Sequence, residues 1–141
     1  MSVAFDETRS VLAQPLIARL ATIDADGYPH VVPLWFDAEP DRPELIIMAD
    51  RTAHAVQNAL GNPRGAVQVG GEPLPLDPAQ YTTAYLYQGD FSVETDIGHT
   101  AMKRISRRYL HPGAVDLLHE CWKDDDVVVV RLFVRKVMRV H

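Results

Sequence analysis

The clearest alternation of polar and apolar positions lies near the end of the chain. There Arg131, Arg135 and Arg139 fall on one face, and Leu132, Val134 and Met138 on the other. The pattern predicts one long strand over Val127–Val140. Shorter runs of the same character predict strands over Ile17–Ile23, Val31–Phe36, Glu44–Ala49, Ala66–Val69 and Thr82–Glu94. Turn residues separate them. Asp24-Ala25-Asp26-Gly27 tolerates positive φ, Pro40–Pro43 reads as a turn, and Gly70–Pro78, with three prolines and two glycines, reads as a loop. Pro33 cannot donate to a ladder, so its strand is expected at a sheet edge or bulged there. Gly89 marks a bulge or bend in the Thr82–Glu94 strand.

Helical signals are short. Glu7–Leu12 ends before Pro15. Ala53–Leu60 follows Thr52, which is placed to cap it, and Gly61-Asn62-Pro63 stops it. Gly98–Leu110 sets Met102, Ile105 and Tyr109 on one face, with Lys103, Arg104, Arg107 and Arg108 off it as a solvated face. His111-Pro112-Gly113 breaks that helix, and Ala114–Trp122 makes a short successor. The order of helix, three strands, helix, two strands, helices and strand favours a mainly β, α+β fold. Its antiparallel sheet is expected to be closed or nearly closed, because barrel closure or dimerisation removes sticky strand edges.

With 141 residues, 47% of them hydrophobic and 23% charged, a single soluble domain over 1–141 is expected. A net charge of −5 argues against nucleic acid as a partner. The single Cys121 cannot form an internal disulfide and fits a reducing compartment. No N-terminal basic region leads into an apolar run, and no apolar run approaches a bilayer span. A cytoplasmic location away from membranes is therefore expected. His111, His119 and Cys121 lack the paired spacing of a zinc site, and Asp24–Gly27 departs from a calcium loop, so no metal is assigned. Ser10, Ser92 and Ser106 lack a nucleophile-elbow pattern, and Asp124–Asp126 reads as a solvated loop. No residue stands out as an acid or base, so no catalytic residue is assigned. His54 and Asn58, four apart, share a helical face that either meets one ligand or is simply solvated.

The run Ile17–Ile23 followed by Asp26–Phe36 resembles the opening hairpin of the pyridoxamine 5'-phosphate oxidase-like family. Asn58–Arg64 is similar to the next family signature, and the later strands come in the family's order, so the resemblance covers nearly the whole chain. It implies a split β-barrel homodimer with FMN, or a deazaflavin relative, in clefts between the subunits. The implied activity is an oxidoreductase passing hydride or electrons between the flavin and a small-molecule substrate. Some branches instead bind or degrade haem, and a ligand-binding dimer without catalysis is the remaining alternative.

Residue by residue, the resemblance places His30, Val32, Pro33, Leu34 and Trp35 beside the flavin ring. It places Met48, Ala49, Arg51, Thr52, His54 and Asn58 around the phosphate. A helix N-terminus there offers unpaired N–H groups, and Arg51 a fork of donors suited to phosphate. Many flavin-binding members carry a small hydroxyl residue, an arginine and a lysine in the first helical turn. This chain has Ala53, His54 and Ala55, so phosphate affinity should fall unless Arg51, Thr52 and His30 compensate. The spacing His54-x-x-x-Asn58 and the run Arg107-Arg108-Tyr109-Leu110-His111-Pro112 are closer to the haem-utilisation branch. His141 could reach a haem iron, but a disordered chain end is the favoured reading of that residue.

Overall fold

The computed structural model describes residues 1–74 and 76–140, so Pro75 and His141, with the readings made of it, lie outside the described residues. The strands are β1 (Ser2–Val3), β2 (Ala18–Ile23), β3 (Pro29–Leu34), β4 (Phe36–Ala38), β5 (Glu44–Asp50), β6 (Arg64–Val69), β7 (Pro73–Leu74), β8 (Asp77–Tyr81), β9 (Tyr85–Thr95) and β10 (Val127–Arg139). The helices are α1 (Arg9–Leu12), α2 (His54–Gly61), α3 (Thr100–Ser106) and α4 (Pro112–Trp122), with 3-10 turns at Phe5–Thr8 and Ile97–His99.

The main sheet has eight strands, running β3-β2-β6-β9-β10-β5-β4, with β1 on the edge of β10 that faces away from β9, beyond β5, and every pairing antiparallel. The two ends of that path, β3 and β4, are joined in the chain by Trp35 alone. The sheet therefore curls into a barrel whose seam is closed by the backbone itself. Along β3 that seam has no ladder to β5, which is the split. The fold is an α+β split barrel with short flanking helices.

Alternation sends Leu20, Phe36, Leu45, Ile47, Val67, Tyr87 and Leu132 inward, and α2 plugs one end with Ala55, Val56 and Ala59. Side chains buried this fully contribute roughly 1.5–3 kcal/mol each for the larger ones. A second, smaller cluster forms outside the barrel, where Ile105 of α3 covers Ile46 and Val129. This explains why Val127–Val130 is apolar on every residue: that part of β10 is buried on both faces.

Several expectations are corrected by the packing. The strand expected over Val31–Phe36 is two strands, because Phe36 leaves β2 and pairs with Ile47 of β5. Pro33 does sit on an edge strand, opposite Arg19. Thr52 does not cap α2. Its amide and hydroxyl both donate to Asp50 Oδ1, at 2.9 and 2.6 Å, and the N-cap is Ala53 with no side-chain bond. The Gly70–Pro78 stretch holds β7 and part of β8 in a small hairpin, stitched at its base by Thr82 Oγ1, which accepts from the amides of Gly71 and Glu72.

At Gly89 the irregularity is real, but the extra residue belongs to the partner strand. Val134 pairs with Gly89 and Lys136 with Gln88, so Arg135 is the bulged residue. The bulge flips the parity of β10, so that Leu132 and then Val137, not Met138, point into the core. Finally, the third helix is not a wholly solvated basic face: Arg107 is exposed as expected, but two of its arginines are not. Arg104 and Arg108 reach back to Asp37 on β4.

The β2–β3 turn bears out the expected role of Gly27, which lies at φ +85. Asp24 Oδ1 accepts from the amides of Asp26 and Tyr28, both at 2.9 Å, and fixes the turn. No atom lies near a Cβ built on Gly27, so a side chain there is opposed by backbone conformation alone. Gly27→Val should cost about 1–2 kcal/mol, read as a lower melting temperature with ligand binding preserved. An unchanged melting temperature would mean that the turn readily adopts another shape.

Candidate functional site

β3 carries His30, Val32 and Leu34 on its inward face and Pro29, Val31 and Pro33 on its outer face. His30 stands opposite Thr22 on β2. Its ring meets that of His54, the first residue of α2, with centroids 4.4 Å apart and planes tilted by 40°. His30 Nδ1 is buried and has no hydrogen-bonding partner among the described residues. The first turn of α2 is equally bare, since no side chain caps its N–H groups. Two imidazoles and an uncapped helix end thus converge on one point beside the split.

The neighbouring polar groups are committed elsewhere. Asn58 is buried and donates from Nδ2 to Thr22 Oγ1 at 3.1 Å, so it ties α2 to β2 instead of sharing a ligand with His54. Asp50 is held below the usual carboxylate range by hydrogen bonds from the hydroxyl and amide of Thr52. Arg51 sends Nε to Asp126 Oδ2 and a terminal nitrogen to Thr95 Oγ1, both at 2.7 Å. The Asp126 pair raises the Arg51 pKa further and keeps the guanidinium charged.

The residues expected around a flavin therefore divide. His30 and His54 come together, with Val32, Leu34 and Ala49 packed against the main core behind them. Pro33 is exposed on the outer face of β3. Trp35 and Met48 instead pack on the α3 cluster, where Trp35 stacks on Tyr109 with centroids 4.9 Å apart and planes within 5°. Tyr109 is fixed in turn, donating its hydroxyl to Leu16 O at 2.6 Å and accepting from Phe36 N at 3.3 Å. Burial pushes that phenol above its ordinary pKa, so it remains a donor.

Sequence reasoning missed Thr22, Asp126 and Tyr109 as the groups that anchor Asn58, Arg51 and Trp35. Each contact joins distant parts of the chain, and no local pattern announces it. Groups of three or more His, Cys, Asp or Glu able to hold a metal do not occur among the described residues. Nor is any helix there long and apolar enough to cross a membrane.

No curated protein matches the sequence. Solved structures do share the fold. A structure named F420 reductase superposes with a TM-score of 0.69 at 21% identity, covering 92% of this chain and 94% of that one. A conserved protein of Mycobacterium tuberculosis gives 0.73 at 16% identity, over 96% of this chain and 82% of that one. A FAD-binding protein of Mesorhizobium loti gives 0.62 at 22% identity, over 97% and 94%. The family model for pyridoxamine 5'-phosphate oxidase matches residues 4–131. With nearly its whole length matched and a split barrel beneath it, the chain belongs to the pyridoxamine 5'-phosphate oxidase family.

Proposed function

We propose that this protein is a homodimeric flavin-type oxidoreductase that holds FMN beside the split, with the phosphate on the N-terminus of α2. The observation that carries this reading is the buried, unpartnered His30 Nδ1 against His54 at an uncapped helix end. Free helix amides beside an unpartnered imidazole nitrogen, which donates in one tautomer and when protonated, suit an anion. Family membership and relatives named for F420 and FAD support the same reading.

The α2 amides, His30 and His54 would hold the phosphate. Arg51 joins them by exchanging Asp126 for the ligand. That exchange costs little, because the pair is exposed, with side chains 39% and 59% accessible, and solvent screens it. The outer face of β3, with Pro33 exposed, borders the ring, and a bound flavin supplies hydride or one-electron transfer to a small substrate. The second subunit covers the exposed edge strand and the turn before it, where Val31 and Tyr28 are 60% and 70% accessible.

Titrating the apoprotein with FMN and following quenching of flavin fluorescence tests the site. Arg51→Ala should weaken binding by about 1.5–3 kcal/mol, as for a lost hydrogen bond to a charged group. Asp126→Asn should strengthen it by freeing Arg51. An Arg51→Ala protein that binds like the parent would remove the phosphate from this pocket. The absorbance spectrum of the purified protein separates the cofactors: flavin bands support the proposal, whereas a Soret band or a deazaflavin spectrum replaces FMN. A monomer by light scattering at micromolar concentration would rule out a stable dimer.

A further inference from the structure

We propose that the outer face of the barrel carries a second ligand site, which takes a flat organic anion. An open groove of about 770 Å³ runs over β2, β6, β9 and β10, within the size range of small-ligand clefts. Its floor is apolar, with Ile23 and Ala66 among the lining residues, and its rim holds Arg64, Arg135 and Lys136 against the single carboxylate of Asp90. None of His30, Arg51 and His54 lines it; Thr22 and Pro29 do, so one end adjoins the β2–β3 hairpin while its basic rim is distinct from the α2 pocket.

The β10 bulge builds the rim. In a regular strand Arg135 and Lys136 would point to opposite faces. With Arg135 inserted as the extra residue, both are exposed and both line the groove. Asp90 engages Arg135 through Nε only, which leaves the two terminal nitrogens without a bond among the described residues. Arg64 and Lys136 have no acidic partner at all among those residues. Most other basic side chains of this chain are paired, and its net charge is −5. Two unpaired cations and a guanidinium with a free fork, set over an apolar shelf, match an aromatic or similarly flat body bearing a carboxylate, sulfonate or phosphate.

The probe is 1-anilinonaphthalene-8-sulfonate, titrated into the full chain without flavin and followed by its fluorescence. One site per chain is expected, weakened by salt, and the uncharged N-phenyl-1-naphthylamine should bind at least tenfold more weakly. Arg64→Gln combined with Lys136→Gln should lower the affinity at least tenfold, and Ala66→Leu, which fills the floor, should do the same. Both variants should keep the parent's melting temperature, FMN affinity and light-scattering mass. Equal binding by parent and variants, or a loss that comes with a changed mass, overturns the proposal; the second result would assign the groove to contact between copies. Because FMN is titrated in parallel, failure here and failure of the α2 pocket are read separately.

Discussion

Asp37→Ala should lower the free energy of unfolding by about 3–5 kcal/mol, measured by urea denaturation. Asp37 lies on β4 with only 19% of its side chain accessible. One carboxylate oxygen accepts from Arg104 Nε at 2.8 Å, and the other pairs with Arg108. Arg108 lies over the Phe36 ring, 4.7 Å from its centroid, and donates to the carbonyls of Leu12 and Gln14, both at 2.8 Å. A single carboxylate thus joins α3 and the segment after α1 to a strand held by only three ladder pairs. Removing it leaves the largely buried Arg108, 15% accessible, without a carboxylate, and Arg104, 36% accessible, with only Glu39 and the Ala38 carbonyl. Asp37→Asn, which keeps the shape and one acceptor, should cost less. Equal and small effects for both variants would show that β4 needs no such anchor.

Glu39 extends the same network. Burial pushes its carboxyl up, but hydrogen bonds from Arg104 and Arg42 and the charge of Arg131 outweigh this and hold it below 4.5. A carboxyl depressed in the folded state stabilises fully above its unfolded pKa and loses that contribution as pH falls through the folded value. Stability should therefore begin to fall below about pH 4.5, and Glu39→Gln should flatten that part of the profile.

Gly89→Ala should be the other severe change, costing about 3 kcal/mol or more. The backbone angle of Gly89 is not the reason, since φ there is not positive. The obstacle is contact. A Cβ at this position would fall far inside the contact distance of the Phe133 carbonyl oxygen and close to Val134 Cα, both of them backbone. Flexible side chains can yield, but the bulged ladder between β9 and β10 cannot without losing its register. Thermal unfolding and soluble yield are the measurements. A variant that melts with the parent would mean that the bulge relaxes freely. Gly71→Ala, whose Cβ would meet only Ala84 Cβ at 3.6 Å but whose φ is +94, is a useful contrast, because its cost is conformational and should be smaller.

These variants show where the sequence is legible and where it stops. Alternation and turn residues place most of the strands to within a few positions, because each depends on neighbours in the chain. The hairpin at Gly27 follows from Asp24 and the glycine itself. Thr52 looks like a helix cap until Asp50, two residues earlier, takes both its donors. Arg104 and Arg108 look solvated because the carboxylate that holds them lies on β4, far back in the chain. Within the candidate site, His30 and His54 were both marked by position. Their contact, the diversion of Asn58 to Thr22 and the placing of Trp35 on Tyr109 all depend on how the sheet curls. The bulge at Arg135 could have been suspected from two consecutive cations interrupting an alternating strand.

The position of β10 also constrains how the protein can be made. This strand pairs with β1, β5 and β9, all of which precede it in the chain. On the ribosome those three emerge without the strand that will lie between them, and β5 and β9 wait with open hydrogen-bonding edges. Long-range pairing of this kind is slow, and exposed edges invite association with other nascent chains. Emergence of β10, not the appearance of any earlier hairpin, is the event that permits the barrel to form.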